Sequence, residues 1–271
     1  MCSSDLATEK PTAGAIVTAP SPVAVVVRVN VLPEPVTVGT EPLATVKSAA
    51  DTVLFCAFDK GDARDDSPSR VHGVAADVGT EQGRAALLAA CPAPDILVNN
   101  NGGPPAKDFR ALSHADMVKG VEGNMITPIV LIQAVIDGMA QRRFGRIINI
   151  TSGSVKAPIP NLDLSSGARA GLTAFIAGVA RQVAKDNVTI NNILPGAFWT
   201  DRLKYISEQA AKARGISVDD VRNERLRTIP AGRLGEPGEF GELCAFLASA
   251  QAGYITGQNL LIDGGAFPGA F

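Results

Sequence analysis

The sequence predicts an α/β fold built on a doubly wound parallel sheet, and three observations carry that expectation. Continuous apolar runs of strand length recur in "DILVNN", "RIINI" and "VTINNILPG", the mark of strands buried on both faces. Longer segments with helical spacing lie between them. The two kinds alternate, which calls for parallel pairing through right-handed crossovers. With 271 residues and 46% hydrophobic content, the chain is long enough to bury such a core, and residues 1–271 are expected to form a single domain.

From about residue 72 the pattern is regular. "VHGVAADV" is a short β-type run. "TEQGRAALLAAC" has helical spacing, with Thr80 placed to cap it. "DILVNN" follows as a buried strand. A long helical stretch opens at Ser113 and closes at Gly145, and Pro128 inside it predicts a kink or break. After the strand "RIINI", the helix "GARAGLTAFIAGVARQVAKDN" puts Leu172, Phe175, Ile176, Val179 and Val183 on one face. "VTINNILPG" is a strand entering a Pro-Gly turn, residues 201–228 form an amphipathic helical segment, and a last helix precedes the final strand "NLLIDGG".

The opening differs. Its prolines and the valine-dominated run "VAVVVRVNVL" favour extended structure over helix, so the amino-terminal βα unit is expected to be irregular. Residues 59–70, "DKGDARDDSPSR", read as a solvated loop. The abrupt return to regular sequence suggests that residues 1 to about 70 are partly a wrong-frame translation, with a diverged but authentic start as the rival explanation.

Composition excludes several classes. The net charge of −2 gives no basic excess for nucleic acid or an anionic membrane. Cys2, Cys56, Cys91 and Cys244 lack paired spacing and read as small hydrophobes in a reducing compartment; the only histidines, His72 and His114, argue against a histidine-built metal site. No uninterrupted apolar run reaches the ~18 residues of a membrane helix, and a cytoplasmic protein is expected.

In order along the chain stand Asp77 in "AADV", "NNNG" at residues 99–102, Asn124 in "EGNM", Ser152 in "ITSG", "LPG" with Pro195 and Gly196, Thr200, and "YITGQNLLIDGG" at residues 254–265. Taken together these resemble the short-chain dehydrogenase/reductase family, nearest its 3-oxoacyl-carrier-protein reductase branch, over roughly residues 72–266. The resemblance implies a Rossmann-like sheet, NAD or NADP as cofactor, a small-molecule carbonyl or alcohol substrate, and a homotetramer or homodimer. It also implies site residues. Thr18, Asp77 with Val78, Asn99, Asn101, Gly102, Pro195, Gly196 and Thr200 would meet the cofactor, and Ser152 would hold the substrate carbonyl. The backbone carbonyl of Asn124 would hold a relay water, and residues 201–228 would cover the substrate. Asp59, after an apolar run, could bind a ribose hydroxyl and favour NAD, or remain a loop acid, and Arg64 or Lys60 could equally meet a 2′-phosphate.

Two departures bear on chemistry. Where the family has its tyrosine and lysine, this chain has Ser165 and Arg169. A phenol of pKa near ~10 can be tuned toward working pH, whereas an aliphatic hydroxyl is a far weaker acid. Arg169 keeps a cation for ribose contact or oxyanion stabilisation but stays charged. Where the family has a glycine-rich loop, "TAPSPVAV" offers Ala19, Val23 and Val25 in place of the glycines. The expected function is hydride transfer between NAD(P) and a carbonyl or secondary alcohol, with water and Ser165 relaying the proton. The alternative is a non-catalytic binding or scaffold protein on the same fold.

Overall fold

The computed structural model describes residues 23–28, 53–58 and 71–270. The expectations placed on Thr18, Ala19, Asp59 and residues 59–70 lie outside the described residues, whereas Val23 and Val25, at two of the family's glycine places, lie in the described strand Val23–Arg28.

The described strands form one seven-stranded sheet in the order β3-β2-β1-β4-β5-β6-β7. They are β1 (Val23–Arg28), β2 (Val53–Phe58), β3 (Val71–Ala75), β4 (Ile96–Asn100), β5 (Gly145–Ile150), β6 (Val188–Pro195) and β7 (Asn259–Ile262). β2 pairs parallel with β3, and β4 through β7 pair parallel in succession, as the alternating pattern predicts. β1 is the exception, antiparallel to both β2 and β4, with Val23 opposite Asn100 and Val27 opposite Ile96. This is the form the expected amino-terminal irregularity takes. A run of valines offers the same side chain in both phases, so nothing in it selects parallel over reversed pairing. The carboxyl end of β1 therefore lies at the edge away from the carboxyl ends of β4–β6.

The helices are α1 (Glu81–Ala90), α2 (His114–Val121), α3 (Thr127–Arg142), α4 (Asp163–Val183), α5 (Asp201–Arg214), α6 (Val218–Leu226) and α7 (Pro237–Ala248). Alternating strand residues feed two cores. On one face Leu97, Ile147 and Ile190 meet Leu87, Leu131, Val135, Met139, Leu172 and Ile176 from α1, α3 and α4. On the other, Ile96, Val98, Ile148, Ile150 and Ile193 meet Cys244 and Leu247 of α7. Each such aliphatic side chain contributes about 1.5–3 kcal/mol of burial. Among the described residues one helix, His114–Arg142, is long and apolar enough to cross a membrane by length and composition; Leu131, Ile132, Val135 and Met139 pack its α3 portion into the first core.

Local signals explain the helix ends. The Thr80 side chain accepts from the Gly83 N–H at 3.0 Å. Ser113 and Asp116 form a reciprocal capping box at α2, and the bond to Lys107 holds the Asp116 carboxyl well below the usual carboxylate range. The irregularity expected at Pro128 lies in the turn before it: Glu122–Ile126 is a π-turn, and Pro128 sits in the first turn of α3 where its missing N–H is tolerated. Two expectations need correction. The long helix closes at Arg143, in left-handed conformation at φ 56°; Gly145 instead starts β5, where a Cβ would lie 2.7 Å from Met139. Phe175 is exposed, while Leu172 and Ile176 are buried and Val179 and Val183 are half-buried.

Candidate active site

The carboxyl ends of β4, β5 and β6 lie side by side, because Asn99 pairs with Asn149 and Ile150 with Ile193. Beyond them come Asn101 and Gly102, Thr151 and Ser152, and Gly196. A crevice outside the carboxyl ends of an open parallel sheet is where such folds bind ligands.

Ser152 leaves β5 with extended backbone, φ −164° and ψ 147°, and its Oγ accepts the Ser154 N–H at 3.1 Å. Its O–H remains to donate. Ser165 and Arg169 are one turn apart on α4, both buried. The Arg169 guanidinium reaches across the strand ends. Nη1 donates to the carbonyls of Ile150 at 2.7 Å and Thr151 at 3.0 Å, Nη2 to the Asn101 carbonyl at 2.9 Å, and Nε to Ser165 Oγ at 3.3 Å. The cation thus clasps the ends of β4 and β5, and these donors, expected at a ribose, face the sheet.

A second fastening joins β4 to the π-turn. Asn101 Nδ2 donates to the Gly123 carbonyl, and Asn124 Nδ2 donates to the carbonyls of Gly102 and Gly120, each at 3.3 Å. Pro128 has no N–H, so the Asn124 backbone carbonyl lacks its ordinary α-helical donor. The Oδ1 atoms of Asn99, Asn101 and Asn124 are buried without a hydrogen-bond partner.

Asn99 also begins a ladder. Its Nδ2 donates to Asn149 Oδ1 at 2.9 Å, Asn149 Nδ2 to Asn192 Oδ1 at 3.1 Å, and Asn192 Nδ2 to Asn259 Oδ1 at 2.8 Å. One amide per strand, in register, crosses β4 to β7. Of these four only Asn99 is singled out by its sequence context; the signal for the others was a polar residue inside each apolar strand run.

The remaining expected residues separate. Asp77 is exposed, and its Oδ1 accepts the Gly79 N–H at 2.8 Å. The Val78 side chain is fully buried in the core with Leu87. Gly196 is held by its N–H on the Ile262 carbonyl at 2.9 Å, and a Cβ there would lie 2.6 Å from that of Asp263, so only glycine fits against β7. Pro195 is half-buried beside it. Thr200 caps α5, its Oγ1 accepting the Leu203 N–H at 3.4 Å. Residues 201–228 form the α5–α6 pair, turned at Gly215 with φ 65° and closed by two 2.7 Å bonds between Arg214 and Glu224. Below this edge, a cavity of about 160 Å³ is lined by Phe198, Arg233, Gly235, Glu239 and Asp263, among others.

A family model described as enoyl-(acyl carrier protein) reductase matches residues 58–266. The chain belongs to the short-chain dehydrogenase/reductase family. This short-chain dehydrogenase/reductase is 37% identical over 175 residues to the 3-oxoacyl-(acyl-carrier-protein) reductase FabG of Vibrio cholerae, covering 64% of this chain and 66% of that protein. It is 32% identical over 197 residues to the NADPH-dependent reductase BacG of Bacillus subtilis, covering 71% and 76%. The chain thus spans about two thirds or more of the length of these curated relatives. Among solved structures, YwfH, an NADPH-dependent reductase involved in bacilysin biosynthesis, superposes with TM-score 0.69 at 30% identity over 74% of this chain and 80% of that one.

Proposed function

We propose that the chain is an NAD(P)-dependent oxidoreductase acting between a carbonyl and a secondary alcohol. One observation carries the reading: Ser152 stands at the carboxyl edge of β5 beside Asn101, Gly102 and the Pro195–Gly196 turn, in a family member whose relatives include named reductases, among them NADPH-dependent ones. The residues present fit a dinucleotide on the nicotinamide side, where three strand ends converge and orphaned amide oxygens suit hydroxyl donors. Gly102, Pro195, Gly196 and Thr200 would hold it there, with Asp77 toward the adenine. When bound, the dinucleotide supplies the hydride chemistry.

The chain's own groups do the rest. The Ser152 O–H holds the substrate oxygen. The π-turn presents the Asn124 carbonyl to a water, and Ser165 Oγ, held by Arg169, extends that water chain inward. Arg169 acts through the sheet: it fixes where Asn101 and Ser152 stand, and its charge favours an oxyanion nearby. The α5–α6 pair covers the substrate, and a homo-oligomer fits the exposed Tyr254 beside edge strand β7; the unpaired spacing of the cysteines accords with the reducing cytoplasm.

The second reading, a binding or scaffold protein, is favoured by one observation, that the Arg169 donors face backbone carbonyls. Turnover of a panel of ketones and alcohols with NADH, NADPH and their oxidised forms separates the two. The native chain is expected to turn over at least one pair, and Ser165→Tyr with Arg169→Lys to raise the rate. Silence in both, together with no change in Trp199 fluorescence on millimolar cofactor, would overturn the oxidoreductase reading.

A further inference from the structure

Trp199 stands where the sheet's scaffold ends and the α5–α6 pair begins. Its backbone is fastened: the Gly235 N–H donates to the Ala197 carbonyl and the Trp199 N–H to the Gly235 carbonyl, both at 3.0 Å. Neighbouring Phe198 packs so closely on Gly235 that a Cβ there would lie 2.5 Å from its ring, and it meets Phe240 of α7 edge-on with centroids 5.5 Å apart. The Trp199 ring faces the helical pair instead. The guanidinium carbon of Arg222, on α6, lies 5.0 Å from the ring centroid, and Lys204 Nζ, on α5, lies 6.0 Å from it. Lys204 is shared with Asp201 at 2.9 Å, so Arg222 is the closer and less divided cation. The pair packs chiefly on itself, α5 against α6, and its hydropathy is low, with Tyr205 and Ile206 exposed.

From this geometry we infer that Trp199 is the latch that holds the α5–α6 pair in its resting position, with Arg222 as the principal catch and Lys204 as the second. Trp199 is then a positioning residue; that the positioned element covers substrate rests on the oxidoreductase reading. A cation over an indole face at an exposed site shifts an equilibrium by about two- to five-fold. That is enough to bias a helical pair that makes few other contacts, and weak enough to release it in each cycle. The rigid half of the contact is the indole, because its backbone is bonded on both sides of Gly235. The mobile half is the pair of cations.

Trp199 is the only tryptophan, so its emission reads the latch in the full-length chain without any ligand. Arg222→Gln is expected to raise acrylamide quenching of that emission, and the rate of chymotryptic cleavage after Tyr205 mapped by mass spectrometry, by about two- to five-fold. Arg222→Lys is expected to restore most of the difference, and Trp199→Phe to speed the same cleavage. Quenching and cleavage both unchanged in Arg222→Gln would overturn the inference. In an active chain, Arg222→Gln is expected to raise KM by the same factor with a smaller change in kcat; an unmoved KM would overturn the positioning role. If the native chain and Ser165→Tyr with Arg169→Lys are both silent and millimolar cofactor leaves Trp199 emission unchanged, while both ligand-free readouts move in Arg222→Gln, the latch stands and the oxidoreductase reading fails.

Discussion

Arg169 donates its Nε–H to Ser165 Oγ at 3.3 Å from the adjoining turn of α4, and the same guanidinium reaches three backbone carbonyls at the ends of β4 and β5. The residue in the lysine position of the family pattern therefore works as a strut. Its planar fork suits this, since one side chain satisfies carbonyls on two strands at once.

Arg169→Met is expected to leave those carbonyls without donors and to lower stability by about 2–4 kcal/mol. Arg169→Lys, which keeps the charge but loses the fork, is expected to cost less. Urea midpoints with unchanged slopes would check the order.

Ser152→Ala is expected to lower kcat/KM by about 100-fold, the scale of losing one oxyanion donor, and to lower stability by no more than about 1 kcal/mol for the lost turn bond to Ser154. Steady-state kinetics beside thermal melts would separate the two effects.

In the asparagine ladder, Asn149→Ala removes an inner rung and strands groups on both Asn99 and Asn192. About 2–4 kcal/mol is expected. Asn259→Ala, at the exposed end, strands one donor and is expected to cost about 1 kcal/mol. Equal losses at the two positions would contradict the ladder's contribution.

The Arg233 fork, with bonds of 2.8 and 2.6 Å, and the Glu236 N–H hold the Glu239 carboxyl at about 2, below its ordinary 4.5. A depressed carboxyl contributes stability that is present above its unfolded value and is lost as pH falls through the folded one. The α7 start is therefore expected to weaken between about pH 4.5 and pH 2, with the Glu239 carboxyl titrating near 2 by NMR and Glu239→Gln abolishing that window.

Burial pushes the Cys244 thiol up to about 12. Because the thiolate is the reactive form, Cys244 is expected to resist alkylation at pH 8 in the folded chain and to react once urea unfolds it. Mass-spectrometric mapping of the labelled peptide checks this.

Much of the fold was legible because burial writes itself into sequence. "DILVNN", "RIINI" and "VTINNILPG" could hardly be anything but buried strands, and Thr80 and Ser113 marked helix starts by their capping chemistry. The direction of β1 was not legible, since six residues dominated by valine carry no polarity along the strand. Gly145 misled because a glycine after a helix suggests a cap, whereas Met139 across the turn was the reason for it. At the site, Ser152 and Asn124 were singled out by the family resemblance. The task assigned to Arg169 was not, because a guanidinium's partners depend on which carbonyls the crossover brings within reach, and those lie up to 68 residues away in sequence.

The π-turn at Glu122–Ile126 has one further consequence. An added residue advances a helix by about 100°, so α2 and α3 are out of phase with each other although they are continuous. This offset lets Gly120 meet Leu164 while Leu131 and Met139 meet the sheet. Shortening the chain by one codon there would restore a regular spiral and swing the whole α2 barrel round, so the irregular turn works as the gear tooth that keeps two differently facing shafts in step.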